Sequence, residues 1–361
     1  MRSQQPRTQP RLPILLILSL LVASGGSIAR AQTTNTPQTQ NPQTPNPATA
    51  QAQTSATAAS GAVRLNVIVT DAANHSVGDL RQEDFRVEED GSPQTITQFA
   101  REELPVSYTL VVDNSGSLRS IFEYILRAGA ALVSVNKPGD ETSLTRFVNS
   151  DNISVVQDFT ANQSLLINGL ESMYVEGGQT AVIDAVYLSA ERLASRGAAD
   201  GKRRRAIVLL TDGEDRASYY KQSELQKLLR QHDVQVFAIG IVAILSKQPG
   251  YVSKSSKEKA TALLNTLSKE SGGRAFFPKN VQELQEALGE IARDLRTQYV
   301  LGYQPTNVAA NGRFREIQVK VNDSATGGKR TVHARAGYFA PGGKPDEKKD
   351  SKAKTPGLKS P

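Results

Sequence analysis

The sequence predicts an α/β protein, a doubly wound and mostly parallel sheet inserted in a small β-rich domain. Three observations carry this prediction. Between residues 105 and 296, short apolar runs alternate with segments of helical periodicity, the pattern of a parallel sheet covered by helices on both faces. Residues 62–104 alternate apolar and polar side chains, as in "VRLNVIVT", and carry a tight-turn signal at Asp90-Gly91. Residues 297–341 return to the same alternation in "TQYVLGYQP", "GRFREIQVKV" and "KRTVHARAGYF". Neither flank is long enough to bury a core alone, so 62–104 is expected to pair with 297–341.

Within 105–296 the elements follow in order. "VSYTLVVD" reads as a buried strand, and "LRSIFEYILRAGAALVSVN" has apolar residues at helical spacing. "ETSLTRFVN" and "ISVVQDF" are strands and "NQSLLINGLESM" is helical. After Gly177-Gly178 comes a helix in "TAVIDAVYLSAERLAS", then the strand "RRAIVLLTDGED". "SELQKLLRQHD" is a helix, "VQVFAIGI" a strand and 254–271 another helix. The short strand "GRAFFP" and the helix "VQELQEALGEIARDL" close the unit. The polar stretch 243–256 reads as a loop after a strand end, placed to rim a site there.

The chain begins with Arg2, Arg7 and Arg11, then the apolar run "LPILLILSLLVA" and a small-x-small pattern at Ala29 and Ala31. This predicts a signal peptide over 1–31 and an exported, periplasmic or secreted protein, with an uncut anchor as the alternative. Residues 32–61 are rich in Gln, Thr, Pro and Asn and are expected to be a disordered linker. Residues 342–361 are expected to be a disordered lysine-rich tail. The chain has no cysteine, which excludes disulfides, thiol catalysis and thiolate metal sites. The net charge of +7 resides in the two ends: residues 1–31 hold four arginines and no acid, and 343–361 hold six lysines against three acids. The remainder is neutral, which removes the main support for nucleic-acid binding. Once the signal is removed, no integral membrane segment is expected.

In open α/β sheets ligands bind beyond the carboxyl ends of strands. Asp113, Ser115 and Ser117 lie just past the first strand of the unit, in "DNSGS", and Asp212 ends another in "LLTDGED". Thr180 opens a helix after the glycine pair. Two carboxylates and three hydroxyls form an oxygen-only set of low charge. Such a set suits a hard divalent cation, Mg2+ above all, with Mn2+ or Ca2+ as alternatives. Taken singly, "DNSGS" also fits a helix N-cap and "TDG" an ordinary turn. Asp184, one turn past Thr180, is expected to support or cap rather than ligate. Glu214 and Asp215 are expected to be solvated acids near the site, Asp215 acting at most from behind the ligands.

"DNSGS", Thr180 in "GGQTAVIDAV" and "LLTDGED" together resemble the metal-ion-dependent adhesion site (MIDAS) of von Willebrand factor A (VWA) domains. The resemblance covers about residues 105–296, and the flanks resemble those of exported A-domain proteins of acidobacteria and their relatives. It implies a Rossmann-like doubly wound sheet and a bound divalent ion. By this resemblance the ion is held by the two serines, by Asp113 and Asp212 directly or through water, and in some states by Thr180. One coordination position stays open for a carboxylate of a protein partner. Gln179 stands between the glycine pair and Thr180, where relatives often have the threonine directly after the pair.

The expected function is therefore non-enzymatic binding of a protein ligand that supplies an acidic residue to the metal. A metal-assisted hydrolase and an envelope-assembly or structural protein with a purely structural metal are the alternatives. Against catalysis, His75, His232 and His333 fall in separate segments away from the site and read as surface residues, which leaves Ser115 without a general base. The basic run "KRRR" at 202–205 reads as a solvated loop. The oligomeric state is not legible.

Overall fold

The structure is a computed structural model and describes residues 61–196, 203–245, 254–323, 328–342 and 356–360, all within one compact unit. The expected signal peptide, residues 32–60 of the expected linker and residues 246–253 of the 243–256 loop lie outside the described residues.

The first segment gives β1 (Val63–Thr70), β2 (Phe85–Glu89), β3 (Ser92–Gln94) and β4 (Ile96–Glu103). The turn between β2 and β3 places Asp90 and Gly91 at φ values of 48° and 77°. Two successive positive φ angles match the twist of a two-residue hairpin, and Asp-Gly takes them at low cost. The middle segment gives β5 (Val106–Asp113), α1 (Phe122–Ser134), β6 (Glu141–Phe147), β7 (Ile153–Thr160), α2 (Gln163–Glu171), α3 (Val182–Ser195) and β8 (Arg204–Thr211). It continues through α4 (Gln222–His232), β9 (Val234–Gly240), α5 (Val242–Leu245), α6 (Lys254–Ser271), β10 (Ala275–Phe276) and α7 (Val281–Arg296). The last segment gives β11 (Thr297–Tyr303), β12 (Phe314–Val321), β13 (Thr331–His333) and β14 (Gly337–Phe339).

The middle segment is a six-stranded sheet in the order β10-β9-β8-β5-β6-β7, parallel except for β7, which runs antiparallel to β6. β5 is buried along its whole length, and its successive side chains serve opposite faces. Leu110 and Val112 join a core with Leu132 of α1 and Leu288 and Ile291 of α7. Val111 joins a second core with Val186 of α3, Leu229 of α4 and Leu264 of α6. Two cores on one sheet make the doubly wound architecture. Helix starts are set by side-chain caps where the sequence offers them. Asn162 accepts from the amides of Ser164 and Leu165 at 3.0 and 3.3 Å, and Asn280 accepts from Glu283 at 2.9 Å. α1 begins later than its apolar spacing suggests, because a 3-10 turn over Gly116–Leu118 precedes it with Leu118 buried.

The two flanking segments form two four-stranded sheets, β13-β1-β11-β4 and β14-β12-β2-β3. β11 pairs with both β1 and β4, and β12 with β2, so each sheet draws strands from both ends of the chain. Their shared core includes Leu65, Val67, Phe85, Val87, Tyr299 and Ile317, with Phe85, Phe99 and Tyr299 rings 5.2–5.9 Å apart. β1 is apolar on both faces in its second half because Ile68 turns away from this core into the one around α7.

This β region attaches at the edge of the parallel sheet opposite the strand carboxyl ends. Both connections lie there: β4 runs into the start of β5, and the end of α7 runs into β11. Buried arginines tie the junction. Arg274 pairs with Asp294 of α7, both almost fully buried, and donates to the Asn74 carbonyl at 2.6 Å, while Ser76 also donates to Asp294. Arg204 and Arg205 are buried, which overturns their reading as a solvated basic loop. Arg204 donates to the carbonyls of Arg296 and Glu102, and its burial pulls the guanidinium down to about 10. His333 is likewise partly buried rather than on the surface, with Nε2 3.2 Å from the Thr70 hydroxyl.

The C-terminal segment also departs from expectation. Residues 356–360 are ordered against β7: the Val155 amide donates to the Lys359 carbonyl at 2.9 Å and the Lys359 amide donates to the Ile153 carbonyl at 3.0 Å.

Two outcomes are expected at the junction. Asp294→Ala leaves Arg274 buried without its carboxylate and should cost ~3–5 kcal/mol in urea denaturation. The pair Asp294→Leu with Arg274→Met should regain most of that loss. Burial, with the charge of Arg274 second, holds the His333 imidazole down from 6.5 to about 4. A depressed histidine leaves stability intact above about pH 6.5, and stability falls as pH drops towards 4 because the unfolded chain binds the proton first. Between pH 7.5 and 4.5 the parent should lose roughly 2–3 kcal/mol more than His333→Gln.

Candidate metal centre

β5 and β8 are adjacent and parallel, with Val112 opposite Leu210. That register carries Asp113 and Thr211 to the sheet edge side by side, and Asp212 leaves immediately after. Both carboxylates are buried, Asp113 at 0% and Asp212 at 1% exposure. Asp113 accepts the Ser115 amide on Oδ1 at 2.9 Å and the Thr211 hydroxyl on Oδ2 at 2.6 Å. The Ser115 and Ser117 hydroxyls are 2.9 Å apart, and Ser117 donates to Asp212 Oδ2 at 2.7 Å. Asp113, Ser115, Ser117 and Asp212 are thus strung on one continuous chain of polar contacts at the carboxyl edge.

The loop backbones fix this cluster. Asp212 Oδ1 accepts the Glu214 amide at 3.1 Å, and Gly213 donates to the Thr211 hydroxyl at 3.0 Å. Gly213 has φ 78°, and a Cβ there would lie 3.0–3.1 Å from Leu264 and Ala260, so only glycine turns this corner without strain. The Asn114 amide donates to the Phe147 carbonyl at 2.9 Å, and its side chain donates to Tyr174 O at 2.6 Å. The Thr180 segment is drawn to the same loops, its carbonyl accepting from Arg216 and Ala217 at 2.8 and 3.2 Å. Thr180 is 5% exposed.

Asp184 and Asp215 are structural acceptors. Asp184 accepts the Tyr219 and Tyr220 amides, each at 2.8 Å, which clamps the loop after Asp212 to the first turn of α3. Asp215 accepts from the Ile183 amide at 3.1 Å and from the Ser218 hydroxyl at 2.6 Å, so it caps α3. Neither it nor Glu214 is a solvated acid. The Glu214 side chain is only 11% exposed and pairs with Arg216 through one oxygen. Its other oxygen is buried and finds no hydrogen-bond partner among the described residues.

Thr211 was not among the residues singled out by sequence. Its hydroxyl links Asp113 to the Gly213 turn, and the available signal was its place as the last strand residue before Asp212 in "LLTDG".

Burial first, and the Asp212 carboxylate second, push the Asp113 carboxyl well above the usual carboxylate range. Two buried carboxylates at one sheet edge fit a cation between them. Among the described residues no three His, Cys, Asp or Glu side chains come together, so hydroxyls must complete any such ligand set. That composition, with oxygens alone, fits a hard divalent ion.

Curated proteins give no match to the chain. Among solved structures, it is similar to an aerotolerance-related membrane protein from Bacteroides fragilis, at 19% identity over 52% of this chain and 98% of that one, with a TM-score of 0.40. It is also similar to proximal thread matrix protein 1 from the mussel byssus with a zinc-occupied MIDAS motif, at 19% identity over 54% of this chain and 49% of that one (TM-score 0.42). A von Willebrand factor type A protein from Catenulispora acidiphila matches at 14% identity over 70% of this chain and 73% of that one (TM-score 0.39). The family model of the von Willebrand factor type A domain matches residues 109–290, half of the chain, which takes in the second half of β5, all of β8 and every residue of the cluster at their ends. The chain belongs to the von Willebrand factor type A domain family.

Proposed function

We propose that this protein is exported and binds a protein ligand through a divalent cation, with Mg2+ the best-suited ion. Asp113, Ser115, Ser117, Thr180 and Asp212 would hold the ion. The observation that carries this reading is the pair of buried carboxylates at one sheet edge, linked through the Ser115 amide and the Ser115 and Ser117 hydroxyls. When bound, the ion supplies a positive centre that its hydroxyl ligands leave incompletely neutralised, and a carboxylate from outside can complete its shell. The chain's own residues orient the site: Thr211 fixes Asp113, the Glu214 amide fixes Asp212, and Asp184 clamps the loop behind them. Tyr174 stands beside Asn114 with 57% of its surface exposed and with Arg146 5.0 Å from its ring centroid. It offers a partner an apolar contact at the rim.

A binding role is supported over hydrolysis by the placement of the possible bases. His232 ends α4 at the amino edge of β9, opposite the cluster, while His75 and His333 belong to the β region. Domains of this family are in general interaction modules. Export rests on the arginine-flanked apolar run and the Ala29-x-Ala31 pattern. Among the described residues no helix is long and apolar enough to cross a membrane.

Calorimetry with Mg2+, Mn2+ and Ca2+ tests the site. Asp113→Ala and Asp212→Ala should each weaken cation binding at least tenfold, and Thr180→Ala should weaken it by less. In chelator, Asp113→Asn should melt no lower than the parent, since it removes one of two facing buried charges. A pull-down from envelope extract should recover a partner with magnesium and lose it with chelator or Asp113→Ala. Recovery by the parent in chelator, or by Asp113→Ala, equal to that of the parent with magnesium would exclude the metal-bridged mechanism.

A further inference from the structure

β7 is the outermost strand of the six-stranded sheet, and a sheet edge is a template for another strand. Here it is occupied. Lys359 pairs with Ser154 as a parallel bridge through the two backbone hydrogen bonds at Ile153 and Val155. Leu358 is partly buried against the core that contains Phe147, Ile153 and Val182. The segment therefore reads the edge by the two elements of strand addition: main-chain hydrogen bonds, and a side chain in an apolar notch.

The hold is weak. Two backbone hydrogen bonds and one half-buried leucine stand against the ordering of five residues, terms that nearly cancel. Residues 343–355, which join this segment to Gly342, include eight charged residues and no large apolar one. Thirteen residues reach at most about 47 Å, so the contact is tethered but releasable. Its position gives it meaning. Ile153 pairs with Phe147, whose carbonyl holds Asn114, and the Val148 carbonyl holds Ala181 beside Thr180. The acceptor edge thus begins at the rim of the candidate metal centre.

We infer that the outer edge of β7 is a peptide-binding site that takes an extended segment by parallel strand addition, with a leucine in its notch, and that residues 356–360 are its built-in competitor. A partner with an extended leucine-bearing stretch displaces the resident segment and gains a surface contiguous with the centre. The inference does not require a bound metal.

The test uses the full chain and a fluorescein-labelled peptide of residues 354–361, KTPGLKSP, read by anisotropy in chelator. Leu358→Asp in the protein should release the resident segment and increase affinity for the added peptide at least tenfold over the parent. Adding Val155→Pro, which removes the edge donor and is tolerated on an edge strand, should abolish the gain. Hydrogen exchange at the Val155 amide should accelerate at least tenfold in Leu358→Asp. Absence of peptide binding to Leu358→Asp, equal binding with Val155→Pro present, or unchanged exchange at Val155 would each overturn the inference. Because chelator is present throughout, failure here leaves the metal-bridged reading untouched.

Discussion

The parallel register of β5 against β8 is the constraint on which the site depends. With Val112 opposite Leu210, the strands end together and put Asp113, Thr211 and Asp212 at one point on the sheet edge. A shift of one residue would turn Asp113 to the other face of the sheet, because strand side chains alternate. The cores on the two faces hold the register. Leu110 and Val112 are committed to one, Val111 and Leu209 to the other, and each of the four is at most 1% exposed. The cost of holding two carboxylates out of water falls at that edge and is offset by the strand packing beneath it.

The opposite edge is organised by cations rather than by carboxylates. Arg204, Arg274 and Arg335 reach carbonyls and acids that belong to distant parts of the chain, including Glu102, Asn74, Asp294, Arg64 and Asp233. The planar guanidinium suits this role, since it can serve several acceptors at once in a buried junction. Arg274 also lies over Phe276, 4.7 Å from the ring centroid. The molecule therefore has one polar end built on arginines and another built on the buried carboxylates of Asp113 and Asp212.

Much of this was legible in the sequence because it follows from periodicity. β5 and β8 are unbroken apolar runs, α7 repeats Leu284, Leu288, Ile291 and Leu295 at helical spacing, and strand ends are where an α/β fold gathers oxygen ligands. The grouping of Asp113, Ser115, Ser117 and Asp212 is local to two such ends and could be read from their flanks. What could not be read depends on partners far away in the chain. Arg204 and Arg205 look like a solvated run until the Glu102 and Arg296 carbonyls are known to face Arg204. Glu214 looks like a surface acid beside a turn. Residues 356–360 carry no strand pattern of their own, since β7 supplies the template for the pairing. Asp184 fell between these cases: its place one turn into α3 suggested a supporting role, but only the fold reveals the two tyrosine amides it accepts.

The split of the β region between the two flanks has a consequence for the order of folding. β1 meets β11, and β2 meets β12, across more than 200 residues of intervening chain. Closing so long a loop by diffusion alone is entropically expensive and slow. The α/β unit removes that cost, because folding it brings Glu103 beside Thr297 as a strand pair at its own base. During synthesis, β1 through β4 must wait with their apolar faces uncovered until β11 and β12 emerge. The exposed alternation of Val63, Leu65 and Val67 then makes the first flank the segment most in need of protection from aggregation before the last flank arrives.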